Sequence, residues 1–221
     1  MHEAPTDRTR VRRKRDRGRY DQAAVHAVLD AGFLCHVGFA VDGRPWVFPT
    51  IYARVDDHLY LHGARANFAL GVLAAGTEAC VTVTLVDAVV LARAAFNHSL
   101  NYRSVMLFGR AEAVEDEEEK RRAVTAVVEH VVPGRAADTR PPSASELRAT
   151  AVVRFPLDEG SAKVRTGPPG EDPSDIGLSH WAGQLPLALA PGEAVPDVQA
   201  PGDASLPCPD YLTEWASRRP R

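Results

Sequence analysis

Residues 33–41 alternate, with Phe33, Cys35, Val37, Phe39 and Val41 on one phase and Leu34, His36, Gly38 and Ala40 on the other, which predicts a strand. Asp42-Gly43 follows, a strong hairpin signal, so residues 45–55 read as the return strand. Before them Ala24, Val25, Val28 and Leu29 recur at helical spacing behind a possible Asp21 cap, predicting a helix over 21–31 that stops at Gly32. Asp56-Asp57 turns the chain into a strand over 58–62, and a short helix is expected at 66–74. Two β-rich runs, 78–86 and 89–95, are separated by Asp87-Ala88, which reads as a turn; 103–114, 152–157 and 162–166 are further strands. In 115–131 an acidic block, Glu115 to Glu119, precedes Lys120, Arg121 and Arg122, the order that suits a helix dipole. Val124, Val127, Val128 and Val131 give that helix one apolar stripe.

About seven short strands with few helices indicate a mostly β (α+β) protein, an antiparallel barrel or sandwich with added helices. Several strands are apolar on both faces, as in a barrel with a core inside and a helix or second subunit outside. Fourteen of the 17 prolines lie beyond residue 132. After Gly167 no period is sustained, and the chain is expected to wrap over the body in extended form, anchored at Trp181 and at residues 185–189. The expected organisation is therefore an arm over 1–19, a barrel domain over 20–167 and a Pro-rich extension over 168–221.

Charge changes the picture at one end. Residues 1–19 carry a net charge of +5 and the remainder −8. The arm has no interleaved aromatics and joins an acidic body, which argues against a nucleic-acid partner and for a solvated arm lying on an acidic neighbour. No apolar run approaches the ~20 residues of a membrane helix, and the N-terminus is charged, so a cytoplasmic protein with no membrane partner is expected. Cys35, Cys80 and Cys208 are odd in number and lack CxxC spacing, which reads as reduced thiols without a metal site.

GxGxxG, a Walker loop, GxSxG and HExxH are all absent from the sequence. Two polar clusters interrupt the apolar strands. In residues 61–67, His62, Gly63, Ala64, Arg65 and Asn67 stand where a strand gives way to a helix start, a place suited to phosphate or to an ordinary loop. In residues 96–105, Arg103 offers a planar fork for phosphate, while Ser99, Asn101, Tyr102 and Ser104 can hydrogen-bond a heterocycle or its ribityl chain. A structural polar turn is the other reading of this second run.

These runs resemble the pyridoxamine 5′-phosphate oxidase-like FMN-binding split barrels, in the branch of the 5-nitroimidazole reductases. The resemblance covers residues 12–190 in order. It is carried by Arg19-Tyr20-Asp21, Cys35-His36-Val37-Gly38, Gly43-Arg44-Pro45, Leu59-Tyr60-Leu61-His62-Gly63, Lys163-Val164-Arg165-Thr166-Gly167 and, most specifically, by His98-Ser99-Leu100-Asn101-Tyr102-Arg103-Ser104-Val105. It implies a six-stranded antiparallel split β-barrel with added helices, and a homodimer with FMN in clefts at the interface. Pro49, Thr50 and Ile51 would lie along the flavin ring, residues 62–67 would approach its edge and phosphate, and Asn101, Tyr102, Arg103 and Ser104 would complete the contacts. Where relatives commonly place Ser-Arg at the helix start this chain has Asn67-Phe68, so Arg65 is the remaining local cation.

The activity implied is electron transfer from NAD(P)H through FMN to a small electron-poor acceptor such as a nitro group or quinone. The protein would supply binding and orientation. His62 is the candidate proton donor, because an imidazole titrates near neutral pH, and Tyr102 is a second candidate or a wall of the cleft. Two other readings are a non-catalytic flavin carrier or sensor, and a haem-binding barrel with His36, His62 or His98 as axial ligand.

Overall fold

Asp21 accepts a hydrogen bond from the Ala24 N–H at 2.8 Å, and the helix it caps, α1, runs Gln22–Ala31 with Val25, Val28 and Leu29 buried. The computed structural model describes residues 6–197 and 207–218; residues 1–5 of the arm, and 198–206 and 219–221 of the C-terminal extension, lie outside the described residues. Asp21→Ala is expected to cost about 1 kcal/mol, the usual worth of such a cap, read as a lower denaturant midpoint with unchanged slope. A value indistinguishable from zero would mean that tertiary packing alone sets the start of α1.

The strands are β1 (Gly18–Arg19), β2 (Leu34–Val41), β3 (Arg44–Ile51), β4 (Ala53–Val55), β5 (His58–Ala64), β6 (Glu78–Leu91), β7 (Ser99–Arg110), β8 (Glu112–Ala113), β9 (Thr150–Pro156), β10 (Gly160–Arg165) and β11 (Gly183–Pro186). The further helices are α2 (Phe68–Ala74), α3 (Glu117–Val131), α4 (Ala144–Ala149), α5 (Asp210–Thr213) and α6 (Trp215–Arg218). One sheet runs β1-β10-β7-β6-β2-β3, with β11 added on β6; the other runs β4-β5-β9-β8. Neither closes on itself, and the fold is mostly antiparallel β with a few helices, in keeping with a split barrel.

Two compact units divide the chain: one takes in the chain up to Pro49, Ala79–Gly109 and Leu157–Ala188, and the other takes in Thr50–Glu78, Arg110–Pro156 and the chain from Leu189. In the first, Leu29, Cys35, Val37, Val81, Val83, Val105, Leu107 and Ala162 are buried almost completely. In the second the same is true of Tyr52, Leu59, Leu61, Leu73, Leu147, Val153 and Phe155. Burial pushes the Cys35 thiol up to about 12, so it stays protonated; none of the three cysteines is in a disulfide among the described residues.

The hairpin between β2 and β3 is the one Asp42-Gly43 predicts, with φ of 50° and 74° at its two central residues. Asp87-Ala88 is not a turn. Residues 78–91 form one strand whose buried positions slip from Ala79, Val81 and Val83 to Ala88 and Val90, and that slip is what imitates a break between two runs. Asp87 is satisfied inside the sheet: its carboxylate takes the Arg103 fork, and its carbonyl accepts from the Leu187 N–H at 2.9 Å.

The extension is held differently from expectation. Backbone pairing of Gly183–Pro186 with β6 fixes it, while Trp181, Leu185, Leu187 and Leu189 remain 69%, 55%, 45% and 67% exposed. In the second unit α3 buries Lys120, Ala123 and Val127, a stripe rotated from the expected one, with Val124 packed beside Val114 and Val152. No helix among the described residues is long and apolar enough to cross a membrane.

Candidate functional site

The histidine cluster lies in the second unit. β5 pairs with β9 so that His62 faces Val152 and Ala64 faces Thr150, and Leu59 and Leu61 on the alternate phase are fully buried. His62 therefore projects from the opposite face of the strand. Its ring is half-buried, and Nδ1 is buried with no hydrogen-bond partner among the described residues. Burial also lowers the pKa of the imidazole, so the ring is neutral at pH 7. A neutral ring with a buried, unpaired nitrogen suits a group supplied from outside the protein.

Its neighbours are more committed. A Cβ on Gly63 would lie 2.9 Å from Leu70 Cδ1, so the glycine lets α2 pack close to β5. Asn67 caps α2 by accepting the Leu70 N–H at 3.1 Å, and its own N–H donates to the Ala64 carbonyl at 2.9 Å. The Arg65 N–H donates to the Ala149 carbonyl at 2.9 Å, while its exposed guanidinium has no hydrogen bond among the described residues. Thr50 Oγ1 donates to the Ile51 carbonyl at 3.3 Å, and Ile51 is 38% exposed at the end of β3. Pro49, also exposed, precedes them on the terminal strand of its sheet.

The second cluster lies in the first unit, on a strand and not in a loop, because β7 starts at Ser99. Asn101 is 5% exposed and bonded at both ends of its amide: Nδ2 donates to Gln184 Oε1 at 2.6 Å and to the Gly167 carbonyl at 3.2 Å, and Oδ1 accepts from Arg165. Arg103 holds Asp87 with a two-pronged contact, Nη2 at 2.7 Å and Nε at 3.1 Å. A phosphate at Arg103 would have to compete with that carboxylate. Ser104 Oγ donates to the Lys163 carbonyl at 3.4 Å; half-buried Tyr102 stands opposite Arg165 in the β7–β10 register, and Ser99 is half-buried. His98 is exposed, with Nδ1 3.1 Å from the Ala94 carbonyl, and His36 is exposed on β2.

The structure thus brings Thr50, Ile51 and residues 62–67 into one unit, and Ser99, Asn101, Tyr102, Arg103 and Ser104 into the other. Arg165 is the residue the sequence reading left out. It sits in the 163–167 run, but only the pairing of β7 with β10 shows that it joins Asn101. No three of His, Cys, Asp and Glu among the described residues lie close enough to hold a metal ion.

Residues 21–164 match the sequence profile of the family described as pyridoxamine 5′-phosphate oxidase. The chain belongs to that family. Among solved structures similar to it is a flavocytochrome from Azotobacter vinelandii, with 41% identity, a TM-score of 0.88, and coverage of 97% of this chain and 99% of the other. A FAD and haem binding protein from Mycobacterium smegmatis is 32% identical with a TM-score of 0.84, covering 90% and 97%. A candidate 5-nitroimidazole antibiotic resistance protein from Bacteroides thetaiotaomicron is 26% identical with a TM-score of 0.57, covering 66% and 86%. No curated protein matches the chain. Likeness is thus greater to the flavocytochrome and to the FAD and haem binding protein than to the nitroimidazole-resistance candidate.

Proposed function

We propose that the protein is an oxidoreductase that holds both a flavin and a haem, takes electrons from NAD(P)H and passes them to a small electron-poor acceptor. The observation that carries the reading is the 41% identity to a flavocytochrome across 97% of the chain. FAD is the favoured flavin, with FMN the alternative, because the relative at 32% identity is described as binding FAD and haem. Bound flavin supplies two-electron acceptance with one-electron release, and bound haem supplies one-electron transfer.

His62 fits such a group better than His36 or His98 does. Its burial has already removed much of the imidazole's water, keeps the ring neutral as a metal ligand must be, and leaves Nδ1 without a protein partner. We assign His62 to the haem iron; a proton donor beside flavin is its other possible role. Arg65, whose guanidinium has no hydrogen bond among the described residues, is the cation that the second unit offers to a flavin phosphate. Thr50 and Ile51, in the same unit, would line the ring.

Large apolar side chains remain in the open on the single chain: Trp46 and Val47 on β3, Phe96, and Trp181, Leu185 and Leu187 near β11. That much exposed apolar surface supports a homodimer. A nitro acceptor is supported by the likeness to the nitroimidazole-resistance candidate. Anaerobic addition of NADPH, and separately NADH, to the purified protein tests the reading. The flavin bands should bleach, the haem bands should move to their reduced positions, and a nitroaromatic or quinone should reverse both. A cofactor-loaded protein unchanged by either nucleotide would remove the proposed donor.

A further inference from the structure

The basic arm is tied into the first unit by β1, where Gly18 pairs with Lys163 and Arg19 with Ala162. This brings the arm against the segment that leaves β10. Between them is a cavity of about 310 Å³ whose walls include Asp16, Arg17, Arg19, Arg165, Thr166 and Gly170. Three guanidiniums and a single carboxylate meet there.

Arg165 is 7% exposed, and a buried guanidinium is ordinarily paired with a carboxylate. Elsewhere in this unit even half-buried guanidiniums keep the rule, Arg93 with Glu171 and Arg103 with Asp87. Among the described residues Arg165 instead donates to neutral oxygens alone: Asn101 Oδ1, the Gly167 carbonyl at 3.3 Å and the Pro168 carbonyl at 3.1 Å. Asn101 is itself held by Gln184 and Gly167, so the fork is fixed in place. Arg19 Nη1 likewise donates to the carbonyls of Asp16 and Gly18, at 2.7 and 2.8 Å, and the Arg17 guanidinium has no hydrogen bond among the described residues. Burial and the charge of Arg17 both push the pKa of Arg165 down, so the cation sits in a place that disfavours it. An anion in the cavity would relieve both effects.

We propose that this cavity binds the phosphoryl groups of a small molecule, with Arg17, Arg19 and Arg165 as its cationic contacts. The net excess of two positive charges matches a phosphoryl group, which carries roughly −1.5 to −2 near pH 7, and planar forks suit its oxygens. The volume is at the small end for ligand sites, roughly 300–1,000 Å³, enough for a diphosphate with the rest of its molecule projecting outward. Free pyrophosphate and the diphosphate of a dinucleotide share this chemistry. The inference does not depend on the flavin and haem reading, since its probe is inorganic pyrophosphate.

Titration calorimetry of the full-length purified protein with pyrophosphate at low salt is the test. Saturable binding is expected, weakened about tenfold or more in Arg17→Gln/Arg19→Gln and tightened in Asp16→Asn, a gain that no folding defect would produce. Absence of saturable binding, or equal affinity in all three proteins, would overturn the proposal. Repeating the titration in saturating NADPH distinguishes the sources: lost pyrophosphate binding identifies the dinucleotide as occupant, and undiminished binding identifies a separate phosphorylated ligand, either result supporting the site.

Discussion

His62→Ala is expected to abolish most of the Soret absorption of the purified protein while leaving the flavin bands and the fold in place. The variant removes the neutral imidazole whose buried Nδ1 has no partner, and removing it costs little in stability, because no hydrogen bond inside the protein is broken. Free imidazole in the buffer should restore part of the Soret band, which a folding defect would not allow. His36→Ala and His98→Ala are expected to retain the band, since both residues are exposed and His98 already uses Nδ1 on the Ala94 carbonyl. A full Soret band in His62→Ala, with loss in one of the other two, would transfer the haem contact to that residue.

Phe155→Ala should be the most destabilising of the single substitutions considered. Phe155 is fully buried on β9, the strand flanked by β5 and β8, and lies opposite Leu59, which is also fully buried. Truncating such a ring removes its transfer energy and leaves a cavity, about 3–5 kcal/mol in all. Urea denaturation followed by circular dichroism reads this as a large fall in midpoint. A loss below about 1 kcal/mol would show that this sheet can collapse around the gap, contrary to close packing.

Much of the fold was legible where the determinants are local. The Asp21 cap, the Asp42-Gly43 hairpin and the alternation of β2 all depend on residues a few positions apart. The capping box formed by Ser143 and Glu146, which starts α4 just after Pro141 and Pro142, is equally local. What could not be read locally is pairing across strands. Asp87 looked like a turn residue because its partner, Arg103, lies on the neighbouring strand. The hydrophobic residues from Trp181 onward looked like anchors, whereas backbone pairing holds that segment and leaves them outward.

The candidate site follows the same division. Residues 62–67 were recognisable as a strand end meeting a helix start, and the structure adds what spacing cannot, that Asn67 spends its side chain on the cap while His62 keeps an unpaired nitrogen. Asn101 reads in the sequence as a hydrogen-bonding contact for a heterocycle, whereas the bonds of its amide run to Gln184, Gly167 and Arg165, residues more than sixty positions away. The arginines of the arm gave a charge count and no address until β1 was seen to pair with β10.

The most direct test is the absorption spectrum of the freshly purified protein, followed by acid release and identification of whatever chromophores come off. A flavin, expected as FAD, together with a Soret band from haem b in the same preparation is the predicted result. A colourless protein that neither FAD, FMN nor haem can reconstitute would contradict the proposed function.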